Sequence, residues 1–97
     1  MKDIEEIKEI LKSNKLRLEL NYNLKSIGIF GSSIREDGNS NSDLDVLVDF
    51  SVPIDLFKFL ELEEDLERIC SKKIDLVSIN SLKLYIGKEI LSEVQYI

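Results

Sequence analysis

The 97 residues carry 19 acidic and 13 basic side chains, a net charge of −6, with 43% hydrophobic and 33% charged content. That composition fits one folded domain, residues 1–97, and its acidity, with no basic stripe to offset it, argues against direct nucleic-acid binding. The absence of histidine and the single cysteine exclude histidine bases, histidine metal ligands and an intrachain disulfide, so carboxylates must carry any chemistry.

The opening run Met1-Lys2-Asp3-Ile4-Glu5-Glu6-Ile7-Lys8 is too charged for a signal peptide, and no apolar stretch nears membrane-spanning length. The expected compartment is the cytoplasm, without a membrane. Ile4, Ile7, Leu11, Leu18 and Tyr22 fall near helical spacing, with Asp3, Glu5 and Glu6 at the positive end of the helix dipole. From Leu16 to Leu24 the pattern also alternates as a strand would. The alternating residues are mostly Leu rather than β-branched and Asn23 suits a left-handed cap, which favours a helix to about Tyr22.

Lys25 to Phe30 reads as the first strand. Ser33-x-x-Glu36 has capping-box form and predicts a short helix ended by Asp37-Gly38, followed by a polar connection, Asn39 to Ser42, into a second strand, Asp43 to Phe50. Pro53 predicts the first turn of a helix to about Cys70, with Leu56, Leu60, Leu66 and Ile69 among its buried positions. Phe57 and Phe59 lie on different faces, so either both are covered within the fold or one faces a partner. Cys70 reads as a small core residue. Lys73 to Ser78 predicts a third strand, and Asn80 or Ser81 caps a last helix through about Ser92, with Glu93 to Ile97 extended. Leu82, Leu84, Tyr85, Ile86, Ile90 and Leu91 exceed one narrow stripe, so part of that helix is expected to face a partner. The class is α+β, a small mixed β-sheet flanked by helices.

The chemistry concentrates at two strand ends. Gly31-Ser32 closes the first apolar run, where a residue without Cβ lets backbone approach a phosphate and a hydroxyl beside it can donate a hydrogen bond. Asp43 and Asp45 open the second, two residues apart and therefore on one face, with Leu44, Val46 and Val48 on the other. Two anions on one face suit Mg²⁺, which takes one or two carboxylates and fills its octahedron with water and the phosphates of a nucleoside triphosphate. Asp75 can join them for a two-metal site if its strand is adjacent. The competing reading of Asp75 is a surface ion pair with Lys72 or Lys73. Alone, Asp-x-Asp is most often a solvated strand edge; Gly31-Ser32 upstream reverses those odds.

At these residues the chain resembles the DNA polymerase β-type nucleotidyltransferase superfamily, whose motif is Gly-Ser, a spacer, then Asp-x-Asp. More narrowly it resembles the minimal nucleotidyltransferase (MNT) antitoxins that are encoded beside HEPN-domain toxins. The likeness runs from the leading helix through Phe30-Gly31-Ser32, Arg35, Asp43-Leu44-Asp45 and Ile74-Asp75-Leu76-Val77 to the Leu82 to Ile97 tail. Many relatives carry Ala then Arg-Gly after Gly-Ser-x, where Ile34-Arg35-Glu36 stands here, and Lys-Pro where Lys83-Leu84 stands here.

The resemblance implies a polymerase β-like fold, ATP as substrate, Mg²⁺ (two ions) on Asp43, Asp45 and Asp75, and a triphosphate positioned by Gly31, Ser32 and Arg35. It implies transfer of AMP to a hydroxyl, tyrosine by family pattern, of a HEPN toxin held in a hetero-oligomer. The alternatives are an antitoxin that masks its toxin without catalysis, and an aminoglycoside-type small-molecule nucleotidyltransferase, which a chain of this length without a second lobe fits least.

Overall fold

A computed structural model describes residues 4–30, 44–80 and 93–97. In chain order it has α1 (Ile4–Tyr22), β1 (Leu24–Phe30), β2 (Leu44–Phe50), α2 (Leu56–Cys70), β3 (Ile74–Ser78) and β4 (Gln95–Tyr96). The expected short helix after Gly31-Ser32 and most of the last helix lie outside the described residues.

The ambiguous stretch at the end of α1 is helical. Leu18 and Tyr22, four residues apart, are buried, whereas Leu16 and Leu20 are 69% and 73% exposed; a strand would have put all four on one side. Asn23 stops the helix in the left-handed region at φ 56°, and its carbonyl accepts from the Ser51 backbone N–H at 2.8 Å. That bond ties the α1 terminus to the end of β2.

The sheet order is β3-β2-β1-β4. β1 runs antiparallel to β2 and β4, while β2 and β3 are parallel, so the sheet is mixed. Alternation divides each strand between two faces. Ile27, Ile29, Leu44, Val46, Val48, Ile74 and Leu76 join Ile7, Leu11, Leu18, Leu62, Leu66 and Cys70 in the main core beneath α1 and α2. On the opposite face Phe30 and Leu47 form a smaller cluster with Val77, Ile79 and Val94.

α2 begins later than Pro53 suggested. Asp55, with extended backbone, is the N-cap and its side chain accepts from the Lys58 N–H at 2.8 Å, which satisfies an amide that Pro53 could not. The buried stripe is consequently Leu62, Leu66 and Cys70, while Leu56 and Leu60 are exposed and Ile69 is partly buried. Phe59 stacks edge-on against Phe50, ring centroids 6.4 Å apart, and Phe57 is 84% exposed. At the other end, Ser71 takes φ 52° and its N–H donates to the Glu67 carbonyl. Helical geometry resumes at Ile79, directly after β3 and ahead of both expected caps. Among the described residues no helix is long and apolar enough to cross a membrane.

Candidate active site

Strand register, rather than any loop, assembles the described part of the site. Phe30, the last residue of β1, pairs with Asp45 of β2, and Asp45 pairs with Asp75 of β3. Gly31 follows Phe30 directly in the sequence. Gly31, Ser32, Arg35 and Asp43 themselves lie outside the described residues. Asp45 is half-buried and Asp75 exposed.

Directly paired residues on neighbouring strands share a face about 4.8 Å apart. The register is fixed by burial: Leu44 and Val46 flank Asp45 at 0% exposure, and Ile74 and Leu76 flank Asp75 at 3% and 6%. A slip of one residue would put these four in water and both carboxylates in the core. Two backbone anchors reinforce it. The Leu44 N–H donates to the Lys73 carbonyl at 2.9 Å, and the Ile74 N–H donates to the Glu67 carboxylate at 3.1 Å.

Asp75 makes no ion pair with Lys72 or Lys73 among the described residues. Two oxygen-donor groups side by side, with their faces turned from the core, present the ligand type that hard divalent cations take. Three such groups do not converge among the described residues, where Asp45 and Asp75 stand without Asp43. An apolar cavity of about 480 Å³ lies elsewhere, lined by Phe50, Ile54, Phe59 and Leu76 between α2 and the sheet. It contains neither carboxylate.

One further acid was not singled out by motif reading. Asp65 of α2, 7% exposed, accepts from Arg17 at 2.7 and 3.1 Å, from the Tyr22 hydroxyl at 2.8 Å and from Arg68. The Arg17 hydrogen bond is the largest influence holding the Asp65 carboxyl down at about 2, against the opposing cost of burial. Burial first, then the bond to Asp65, pushes the Tyr22 hydroxyl up to about 12. The available signal was an acid set next to Leu66 on the buried stripe of a helix, with an arginine three residues on. This network clasps α1 to α2 on the side of the sheet away from Asp45 and Asp75.

Comparison with known proteins adds identity to this geometry. The family described as polymerase beta, nucleotidyltransferase matches residues 5–97. The protein adenylyltransferase MntA of Thermococcus cleftensis is 43% identical over 97 residues, covering 100% of this chain and 98% of that protein. A solved minimal nucleotidyltransferase superposes with a TM-score of 0.80 at 26% identity, over 97% of this chain and 95% of the other. A structure of a tri-AMPylated Shewanella oneidensis HEPN toxin in complex with an MNT antitoxin shares the fold, with a TM-score of 0.65 at 21% identity over 93% of this chain and 70% of the other. With a family match across nearly its whole length, an MntA relative at this identity and a sheet that carries Asp45 in register with Asp75, the chain belongs to the polymerase β-type nucleotidyltransferases, among the minimal nucleotidyltransferases.

Proposed function

We propose that the chain is an antitoxin that works as a protein adenylyltransferase, moving AMP from ATP to a hydroxyl, tyrosine by family pattern, of a cognate HEPN ribonuclease toxin in the cytoplasm. The observation that carries this reading is the Asp45–Asp75 pairing beside the end of β1. The end-to-end likeness to MntA supports the choice of reaction. On this reading residues 1–97 act as one catalytic domain, and the acceptor hydroxyl comes from the bound partner.

The donor set suits Mg²⁺: aligned carboxylates, Asp45 beside Asp75, and no histidine or exposed thiol. Asp43, Asp45 and Asp75 would hold the metal, which when bound neutralises phosphate charge and eases loss of the acceptor proton. Gly31 and Ser32 position the triphosphate, and Arg35 offsets charge on it. Asp75 helps take the acceptor's proton. The acceptor oxygen forms a bond to the α-phosphorus, the α–β phosphoanhydride bond breaks and pyrophosphate leaves.

The test incubates the cognate toxin with this protein, ATP and Mg²⁺, separates the two, then weighs the toxin and assays its ribonuclease. Added AMP mass and lasting inactivation are expected. Full recovery of toxin activity with no added mass would replace transfer with masking. Omitting Mg²⁺, or adding a chelator, should abolish the mass gain, and transfer that persists without any divalent cation would remove the metal from the reading.

A further inference from the structure

We infer that the outer face of the first half of α2 is a docking surface, remote from the carboxylates, for a basic partner protein, and that this partner is the cognate toxin. The partner's identity rests on the proposed function; the surface and its chemistry do not. Among the described residues four of the exposed large hydrophobic side chains, Val52, Leu56, Phe57 and Leu60, lie close together in the chain. Single exposed apolar side chains are ordinary, whereas a cluster of them marks a contact surface. The Asp55 cap fixes the phase of the helix. With Leu62, Leu66 and Cys70 turned to the core, Leu56, Phe57 and Leu60 fall within about 100° of one another on the opposite side. Phe57, for which a partner is one of two sequence expectations, is the most exposed of them.

Beside this ridge is a recess. Leu56 also lines the apolar cavity of about 480 Å³ with Phe50, Ile54 and Phe59, so a partner meets a ridge and a hollow that share one side chain. The location keeps both clear of the carboxylates. Asp45 lies near the start of β2, and Phe50, on the cavity wall, ends it; about 17 Å of strand separates them.

Charge selects the occupant. Between Asp49 and Glu67 the chain has Asp49, Asp55, Glu61, Glu63, Glu64, Asp65 and Glu67 against one base, Lys58. Lys58 Nζ is 3.0 Å from Glu61 and 5.3 Å from the centre of the Tyr22 ring, which draws it toward α1. Asp65 is balanced by Arg17 and Arg68. Glu64 stands one turn beyond Leu60, with Glu63 next to it, so the apolar patch ends in an acidic rim. A second copy of this chain would bring the same rim and the same net charge of −6, and the two would repel. A surface with apolar side chains set among basic ones is attracted instead. A ribonuclease needs basic surface to hold RNA phosphates, and the proposed partner supplies it.

Titration calorimetry of the cognate toxin into this protein, without ATP, reads docking apart from chemistry. Phe57→Ser/Leu60→Ser is expected to raise Kd about tenfold or more, with an unchanged circular dichroism spectrum because both side chains are exposed. Glu63→Gln/Glu64→Gln should raise it about threefold at low salt and less at high salt. Leu16→Ser/Leu20→Ser, which strips two exposed leucines from α1, should bind as wild type does. In the transfer assay Phe57→Ser/Leu60→Ser should raise KM for the toxin and leave kcat within about twofold, as docking remote from the chemistry requires. Wild-type affinity in that variant overturns the inference, as does an equal loss in Leu16→Ser/Leu20→Ser, no binding of toxin to wild type, or a homodimer in sedimentation that Phe57→Ser/Leu60→Ser dissociates. Toxin that binds wild type and loses affinity for the variant, yet gains no AMP, leaves the docking surface standing and ends the proposed transfer. AMP added with Kd and KM unchanged in the variant does the opposite.

Discussion

On the helix-covered side of the sheet, Asp65 takes hydrogen bonds from Arg17, Tyr22 and Arg68; on the opposite side, Asp45 and Asp75 stand next to each other in register. The first carboxylate is buried and its charge is balanced by the protein itself. The second pair lies where strand pairing forces two like charges together, and Asp75 has no ion pair among the described residues. Removing a balanced charge leaves its donors stranded and costs stability. Removing Asp75, exposed and in no ion pair among the described residues, costs the fold little, and the loss falls on whatever ligand the pair was to hold. The same side-chain type thus serves structure on one face and proposed chemistry on the other, and each face can be broken separately.

The largest effect should come from Asp45→Asn. In the proposed reaction it removes one negative charge from the metal site, and transfer measured with labelled ATP and the cognate toxin should fall about 10³-fold or more. Its far-ultraviolet circular dichroism should match wild type, and its urea midpoint should not fall. Near-wild-type transfer would end the assignment of Asp45; a collapsed fold would make Asp45 structural and erase the contrast with Asp65.

Asp65→Ala should do the reverse. Two guanidinium groups and a buried hydroxyl lose their common acceptor, at a cost of about 3 kcal/mol in urea unfolding. Transfer per folded molecule should stay within about twofold, because the clasp is on the far side of the sheet. A large loss of transfer in fully folded Asp65→Ala would show that the two faces are coupled.

The pH dependence sharpens the same point. The folded Asp65 carboxyl lies at about 2 against an ordinary 3.8, so its contribution to stability is complete above about pH 4 and disappears as pH falls through about 2. The expected size is about 2 kcal/mol, and the slope between those limits should flatten in Asp65→Asn. Unfolding free energies measured from pH 5 to pH 2 on both proteins check this. Parallel curves would deny Asp65 its strong pairing.

The face carrying Asp45 was legible in the sequence because period-two alternation fixes parity along a strand: Leu44, Val46 and Val48 had to go inward if Asp45 went outward. Whether Asp75 lay beside Asp45 was not legible, since strand order depends on contacts distant in sequence, and only the parallel pairing of β2 with β3 decides it. The α2 stripe was misread for a local reason. Pro53 and Asp55 both mark helix starts, and choosing the proline favoured Leu56 and Leu60 over Leu62, whereas Leu66 and Cys70 were read as buried and are. Arg17 and Asp65 were invisible as partners because 48 residues separate them and neither belongs to a motif.

The smallest effect tests how the tail is held on the carboxylate-bearing face. Gly28 pairs with Tyr96 of β4 and with Leu47 of β2, which places it in the same row of the sheet as the smaller cluster. A Cβ there would come within 2.6 Å of Val94 Cγ1, 3.1 Å of the Gln95 carbonyl and 3.2 Å of the Tyr96 ring. The Val94 side chain can rotate away, whereas the Gln95 backbone is tied to the sheet by the Ile97 N–H, which donates to the Ile27 carbonyl at 2.9 Å. Gly28→Ala should therefore cost about 1 kcal/mol, within the range for adding one methyl to a filled site, and should loosen β4 without moving β2 against β3. Hydrogen exchange would show faster exchange at Ile97 with the Leu44 amide unchanged. Equal acceleration at Leu44 would mean that the tail helps to hold the Asp45–Asp75 register, and the carboxylate-bearing face would then depend on the chain's last residues as well as on its central strands.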